Sequence, residues 1–305
     1  MKYWQGRLDG DEASYHKIFQ RISLTGDSEN IRANDFVLHG FAVDEGVRRN
    51  KGRVGAKDAP NVIRQSMAGF PVFDPGFLLH DSGDVYCTDG NLENAQQHLA
   101  GAVSKVLSKG AKSVVLGGGH EVTFAHYSGI KNAFPGKKTG VINIDAHFDC
   151  REPEEGVGAS SGTSFWQIAT EGNNNCLYIG IQQNSNTRHL FNFVEQNGMP
   201  YILADEIFYE NLPSLYQKVD AFAGSVDVLY VTICMDVFNA AIAPGVSAVA
   251  YNGIFADAAF MRLYRHILSN KKLLALDVAE VNPVYDIGDR TARLAAALIN
   301  EWFMI

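Results

Sequence analysis

The stretch Gly140-Val141-Ile142-Asn143-Ile144-Asp145-Ala146-His147-Phe148-Asp149-Cys150 couples an apolar run to a cluster of polar groups. The run reads as a buried strand, and just past it two carboxylates flank an imidazole at alternate positions. On an extended strand end the side chains of Asp145, His147 and Asp149 project to the same side. Hard oxygen donors mixed with a borderline imidazole suit Mn, Fe, Zn or Co, and no nearby pair of cysteines marks a structural zinc clip. Taken alone, the segment also fits a polar loop closing a strand.

Three further strand ends carry the same kind of chemistry. Ser113-Val114-Val115-Leu116 runs into Gly117-Gly118-Gly119-His120, where the glycines let the backbone turn sharply beside whatever His120 touches. The run 227–233 ends in Cys234-Met235-Asp236, and 272–279 delivers Glu280 ahead of Val281-Asn282-Pro283. In parallel α/β sheets, ligands gather outside the carboxyl ends of strands, so four such ends fit one shared site.

The pattern of strands and helices agrees. Strands are expected over 36–43, 113–117, 140–145, 176–181, 200–203, 227–234 and 272–278. Helical spacing of apolar residues marks 91–108, a segment capped by Asp257, and 291–302. Such alternation predicts an α/β fold of three layers, a mostly parallel β-sheet with helices on both faces, as a single domain over residues 1–305. The stretch 151–163, rich in Glu, Gly and Ser, is expected to be a mobile loop over the site.

At 305 residues, with 46% hydrophobic and 20% charged content, the chain can bury a substantial core. A net charge of -8 gives no support for nucleic-acid binding. The start of the chain lacks the apolar core of a signal peptide and no apolar run reaches membrane-spanning length, so a cytoplasmic protein without a membrane partner is expected. Cys87, Cys150, Cys176 and Cys234 show no paired spacing, and reduced thiols are the default. The one basic run, Arg48, Arg49, Lys51 and Arg53, reads as a solvated loop, a contact for an acidic substrate, or a subunit contact in a homo-oligomer. Phe165 is a candidate pocket wall and Trp166 reads as a core aromatic. His126, off the strand end, reads as a packing or supporting histidine.

Taken together, Gly119-His120, Asp145-Ala146-His147-Phe148-Asp149, Cys234-Met235-Asp236 with Ala243-Pro244-Gly245, and Glu280-Val281-Asn282-Pro283 resemble the ordered motifs of the ureohydrolase family of arginases and agmatinases. The resemblance runs from about residue 40 to the C terminus. It implies an arginase-like fold and two Mn ions per subunit sharing a bridging hydroxide. It also implies metal ligands at His120, Asp145, His147, Asp149, Cys234 and Asp236. His120 and Asp149 are then expected at one ion and His147 and Asp236 at the other, with Asp145 and Cys234 as bridges. Asp149 and Glu280 are the implied catalytic groups, Asp149 as proton carrier and Glu280 as partner of a cationic amidine.

Three departures from arginases narrow the expectation. Cys234 replaces a bridging carboxylate, which raises the weight of Zn or another soft ion against Mn. Phe165 stands where arginases carry a catalytic histidine. Arg151 stands near a position resembling an arginase carboxylate-binding asparagine, so a more anionic substrate is expected, held by Arg151, Ser161, Thr163 and Glu280. With 46–55 and 180–187, these features are most similar to the branch of the family that hydrolyses N-formimidoyl-L-glutamate to L-glutamate and formamide in histidine degradation. The alternatives are an agmatinase or guanidino-acid ureohydrolase, or a catalytically silent metal-binding homologue.

Overall fold

The computed structural model describes residues 2–24 and 30–305. Nine strands, β1 (Ile22–Leu24), β2 (Phe36–Ala42), β3 (Leu79–Tyr86), β4 (Lys112–Leu116), β5 (Thr139–Ile144), β6 (Cys176–Ile181), β7 (Tyr201–Leu203), β8 (Val228–Cys234) and β9 (Leu273–Ala279), form one sheet. Their order is β1-β3-β2-β4-β9-β8-β5-β6-β7. Every strand pair in the sheet is parallel, more uniformly than the mostly parallel sheet expected.

Strands covered on both faces read as near-continuous apolar runs, and β5, β6 and β8 are buried along their whole length. Beyond the short α1 (Glu45–Arg49), one face is packed by α2 (Ala59–Ala68), α7 (Leu212–Gly224), α8 (Ala258–Leu268) and α9 (Arg290–Phe303). Ile63, Leu215, Leu263 and Ile299 share a cluster there with Leu38, Val114, Ile142 and Val231 of the strands. On the other face lie α3 (Leu92–Leu107), α4 (Val122–Ala133), α5 (Ser164–Thr170) and α6 (Arg188–Gln196), with Leu99, Ile130, Phe165 and Val194 against Val115, Val141, Tyr178 and Tyr230. The Asp257 side chain accepts from the Ala259 and Phe260 amides, which is the cap expected for α8.

β1 and β3 escape the sequence patterns. β3 is written Leu79-His80-Asp81-Ser82-Gly83-Asp84, too polar to read as a covered strand. Its charges are neutralised by a buried guanidinium, Arg64, at 2.8 Å from Asp81 and 2.6 Å from Asp84, while Ser82 bonds to His39 at 2.5 Å. Among the described residues no helix is long and apolar enough to cross a membrane.

The sheet order explains where the chemistry gathers. β4, β9, β8 and β5 lie side by side at the centre although long stretches of chain separate them. Their registers align Leu116 with Val278, Cys234 with Ala279 and Ile144 with Ile233. The residues that follow these ends therefore emerge at one level of the sheet.

Candidate metal centre and its cleft

The glycine run brings two of these ends together. The Gly117 amide donates to the Val278 carbonyl at 2.8 Å, and the Glu280 amide donates to the Gly118 carbonyl at 2.8 Å. A Cβ on Gly118 would collide with the Val43 carbonyl oxygen, so only glycine permits this approach. As a result the His120 amide lies 3.0 Å from Glu280 Oε1. Glu280 itself holds a φ of 66°, a left-handed conformation that a non-glycine residue adopts at a cost.

The loop after β5 departs from the extended geometry expected for it. Residues 145–147 bend, and the His147 amide donates to Asp145 Oδ1 at 2.8 Å, an aspartate-centred turn. Asp149 follows with a φ of 44°. Asn186 clamps the turn from the loop after β6, accepting from the Phe148 amide at 3.0 Å and donating to the Ala146 carbonyl at 2.8 Å. Asp145, His147 and Asp149 still converge, through a turn rather than strand alternation. Cys234 likewise ends its strand, and Met235–Val237 forms a 3-10 turn that carries Asp236.

Two triads of donor atoms result, His120, Asp145 and Cys234 in one and Asp145, His147 and Asp236 in the other, each with its atoms within 4.8 Å of one another. Asp145 belongs to both. His120 Nδ1 lies 3.0 Å from Asp145 and 2.8 Å from Asp149, and His147 Nδ1 lies 3.3 Å from Asp236.

Burial makes this cluster electrostatically demanding. It pushes Asp236 up to about 6, with the Asp145 charge adding to it, and lifts Glu280 and Cys234 well above their ordinary ranges. Burial opposes the charge of Asp145 too, but hydrogen bonds from two imidazoles hold it well below the usual carboxylate range. Against its own burial, His147 is raised to about 12 by Asp236 and Asp145. Within the polypeptide alone, then, the neighbouring carboxylates favour the protonated form of both imidazoles. Asp236 Oδ1 and Glu280 Oε2 are buried without a hydrogen-bond partner. A mixed set of carboxylate, imidazole and thiol donors with unpaired oxygens fits divalent cations, which take over the balancing charge from the protons.

Beneath the donors runs a buried polar chain. His120 Nε2 bonds to Thr232 Oγ1 at 3.0 Å, and Thr232 donates to Asp277 Oδ1 at 2.5 Å. Asp277 also takes the Tyr230 hydroxyl and pairs with His126 Nδ1 at 2.8 Å, and His126 Nε2 meets Ser113 Oγ at 3.0 Å. His126 is thus the supporting histidine its sequence position suggested. Thr232 and Asp277 were not singled out from sequence; the signal for Asp277 was a carboxylate inside an apolar strand, which requires a buried partner.

His120, His147, Asp149, Cys234 and Asp236 line a cleft of about 290 Å³ together with Arg151, Ser161, Glu280, Asn50, Lys51, Arg53 and Ser247, while Asp145 lies buried beneath them. Arg151 Nη1 approaches Asn50 Oδ1 at 3.4 Å, and Asn50 donates to Ser161 Oγ at 3.1 Å. Thr163 does not line the cleft: its hydroxyl is engaged by Ser160 and Gln167, because it closes the turn entering α5. The stretch 151–163, expected as a mobile loop, carries no helix or named strand, and its residues 159–163 are buried and hydrogen-bonded. Phe165, expected as a pocket wall, and Trp166, expected as a core aromatic, both depart from those places. Phe165 is fully buried against Tyr178, with ring centroids 5.1 Å apart, whereas Trp166 is half-buried, since the helix turns that position outward.

All four cysteines are free thiols, as expected. The basic run divides: Arg48 and Arg49 pair with Glu45, at 2.6 and 3.1 Å, while Lys51 and Arg53 reach the cleft.

The fold and site define a class. The Arginase family matches residues 34–305, and the chain belongs to that family. Formimidoylglutamases of Staphylococcus carnosus (strain TM300) and Geobacillus sp. (strain WCH70) are 40% and 42% identical to it; the matches cover 98% of this chain and 96% and 93% of theirs. The formimidoylglutamase structure from Bacillus subtilis superposes with a TM-score of 0.87 over 98% of this chain and 94% of that one; at 23% identity it bears on the fold alone. Trypanosoma cruzi formiminoglutamase with Mn2+ has a TM-score of 0.79 at 26% identity, covering 88% of this chain and 92% of that one.

Proposed function

We propose that the protein hydrolyses N-formimidoyl-L-glutamate to L-glutamate and formamide. The observation that carries this reading is the pair of formimidoylglutamases 40% and 42% identical across 98% of the chain, joined to a site whose two donor triads share Asp145. Mn is the proposed resident ion, by likeness to the Mn-bound trypanosomal structure. His120, Asp145, His147, Asp149, Cys234 and Asp236 are its proposed ligands. Ions held there supply Lewis acidity and a hydroxide nucleophile near neutral pH.

The chain's own groups orient the reaction. Glu280, fixed by its bond to the His120 amide, receives the amidine nitrogen atoms and turns the formimidoyl carbon toward the donor cluster. Water adds to that carbon, the bond from it to the glutamate nitrogen breaks, and Asp149 passes a proton to the departing nitrogen. Arg151 and Ser161 receive carboxylate oxygen atoms. A cationic agmatine tail meets Arg151 unfavourably, which weighs against a guanidino substrate.

Product analysis tests the direction of cleavage. Equal yields of glutamate and formamide are expected from N-formimidoyl-L-glutamate; ammonia with N-formylglutamate would show that the other bond breaks, and no product would leave a silent metal-binding protein.

A further inference from the structure

Resting on that reading, the geometry points to Arg53 as a second carboxylate-recognising residue, so that Arg53 and Arg151 each read a different carboxylate of the substrate. The basic run supplies several cations, but their charges are not equivalent. Arg48 and Arg49 are neutralised by Glu45 and Glu93, and Lys51 lies 3.4 Å from Glu154. Among the described residues, neither Arg53 nor Arg151 has a carboxylate within ion-pairing distance, and both line the cleft. Two uncompensated guanidinium groups face a substrate with two carboxylates.

Arg53 is also held as a recognition group is held. Its Nε donates to the Ser247 carbonyl at 2.9 Å and its Nη2 to the Val246 carbonyl at 2.5 Å, and the guanidinium lies 4.2 Å from the centre of the Tyr285 ring. Its backbone is fixed as well: the amide donates to Ser247 Oγ at 2.9 Å, and the carbonyl accepts from Asn282 at 2.9 Å, two residues beyond Glu280. Neutral carbonyls and a ring face orient the planar fork without cancelling its charge. Among the described residues Nη1 makes no hydrogen bond, and it remains for an anion. Arg151, by contrast, lies on the loop after β5 and approaches Asn50, which bonds to Ser161 of that same loop.

The test compares Arg53→Met and Arg151→Met on three substrates: N-formimidoyl-L-glutamate, its γ-amide N-formimidoyl-L-glutamine, and N-formimidoyl-4-aminobutyrate, which lacks the α-carboxylate. Wild-type kcat/KM is expected to drop by about 10- to 100-fold on each truncated substrate, the range of one charge-assisted hydrogen bond. Arg53→Met loses as much on the full substrate, but one truncated substrate is turned over as well as by the wild type. Arg151→Met spares the other. Arg53→Lys, with the charge but not the fork, lies between wild type and Arg53→Met.

Equal loss on all three substrates in Arg53→Met marks a residue that only holds its loop and overturns the proposal. So does the sparing of the same substrate by both variants, or no effect of Arg53→Met. Because the readout is a ratio among substrates for one preparation, partial misfolding cancels. If the wild type does not turn over N-formimidoyl-L-glutamate, the reading of the function fails first.

Discussion

His120 and Thr232 are joined by a 3.0 Å hydrogen bond from the ring nitrogen that points away from the donor cluster. With Nε2 occupied, Nδ1 faces Asp145 and Asp149. Thr232 in turn donates to Asp277, so the ring orientation is set by a strand residue and a buried carboxylate that never reach the cleft. Partners of this kind fix the tautomer of a metal-ligating histidine.

Thr232→Val removes that support while keeping the side-chain shape. Metal affinity is expected to weaken by about 10- to 100-fold, whereas Thr232→Ser retains it. Titration of the chelated protein with Mn, followed by calorimetry, reads the difference; equal affinity in Thr232→Val would show that the ring is held by other contacts.

Chelation is expected to abolish turnover and lower the Tm, and added Mn to restore both. The Tm gain should be larger at pH 8 than at pH 6. Burial and Asp145 hold Asp236 up to about 6, and burial lifts the Cys234 thiol, so cations displace protons from these donors less readily in acid. Thermal melts with and without Mn at the two pH values check this, and a gain independent of pH would speak against these donors.

His39 sets a separate acid limit. Burial, with a smaller effect from His126, lowers its pKa from 6.5 to about 3. Above 6.5 the group is neutral folded and unfolded, and its contribution is fully present; as pH falls below 6.5 the unfolded chain takes up the proton first, and stability is lost until about 3. The loss approaches about 1.4 kcal/mol per pH unit inside that window. Urea unfolding between pH 6.5 and 4.5 should give a shallower pH dependence for His39→Phe than for wild type; parallel curves would contradict it.

Phe165→Ala opens a cavity between Tyr178 and the metal loop. The expected cost is about 3 to 5 kcal/mol, measured by denaturant unfolding. Activity should fall too, since the Phe165 amide donates to the Asp149 carbonyl at 3.0 Å. A cost below about 1 kcal/mol would mean that α5 closes over the gap.

The strand ends were legible because covered strands spell their burial in β-branched runs and the candidate metal donors follow at once. Glu280 and Cys234 could be read in this way. The turn at Asp145 could not, since alternation along a strand and an aspartate-centred bend both send Asp145, His147 and Asp149 to one side. β3 was hidden because Asp81 and Asp84 look solvent-facing until Arg64, far along the chain, covers them. Thr163 read as a substrate hydroxyl because the sequence does not reveal that Ser160 and Gln167 engage it. Arg53 lay inside a basic run whose members only the fold sorts into paired and unpaired.

The most direct test of the account is kcat/KM of the Mn-loaded protein for N-formimidoyl-L-glutamate against agmatine and arginine, with His147→Ala alongside. Turnover of the first compound alone, lost in the variant together with metal from the site, is the result predicted. Preferred turnover of agmatine or arginine, or undiminished turnover in His147→Ala, would contradict it.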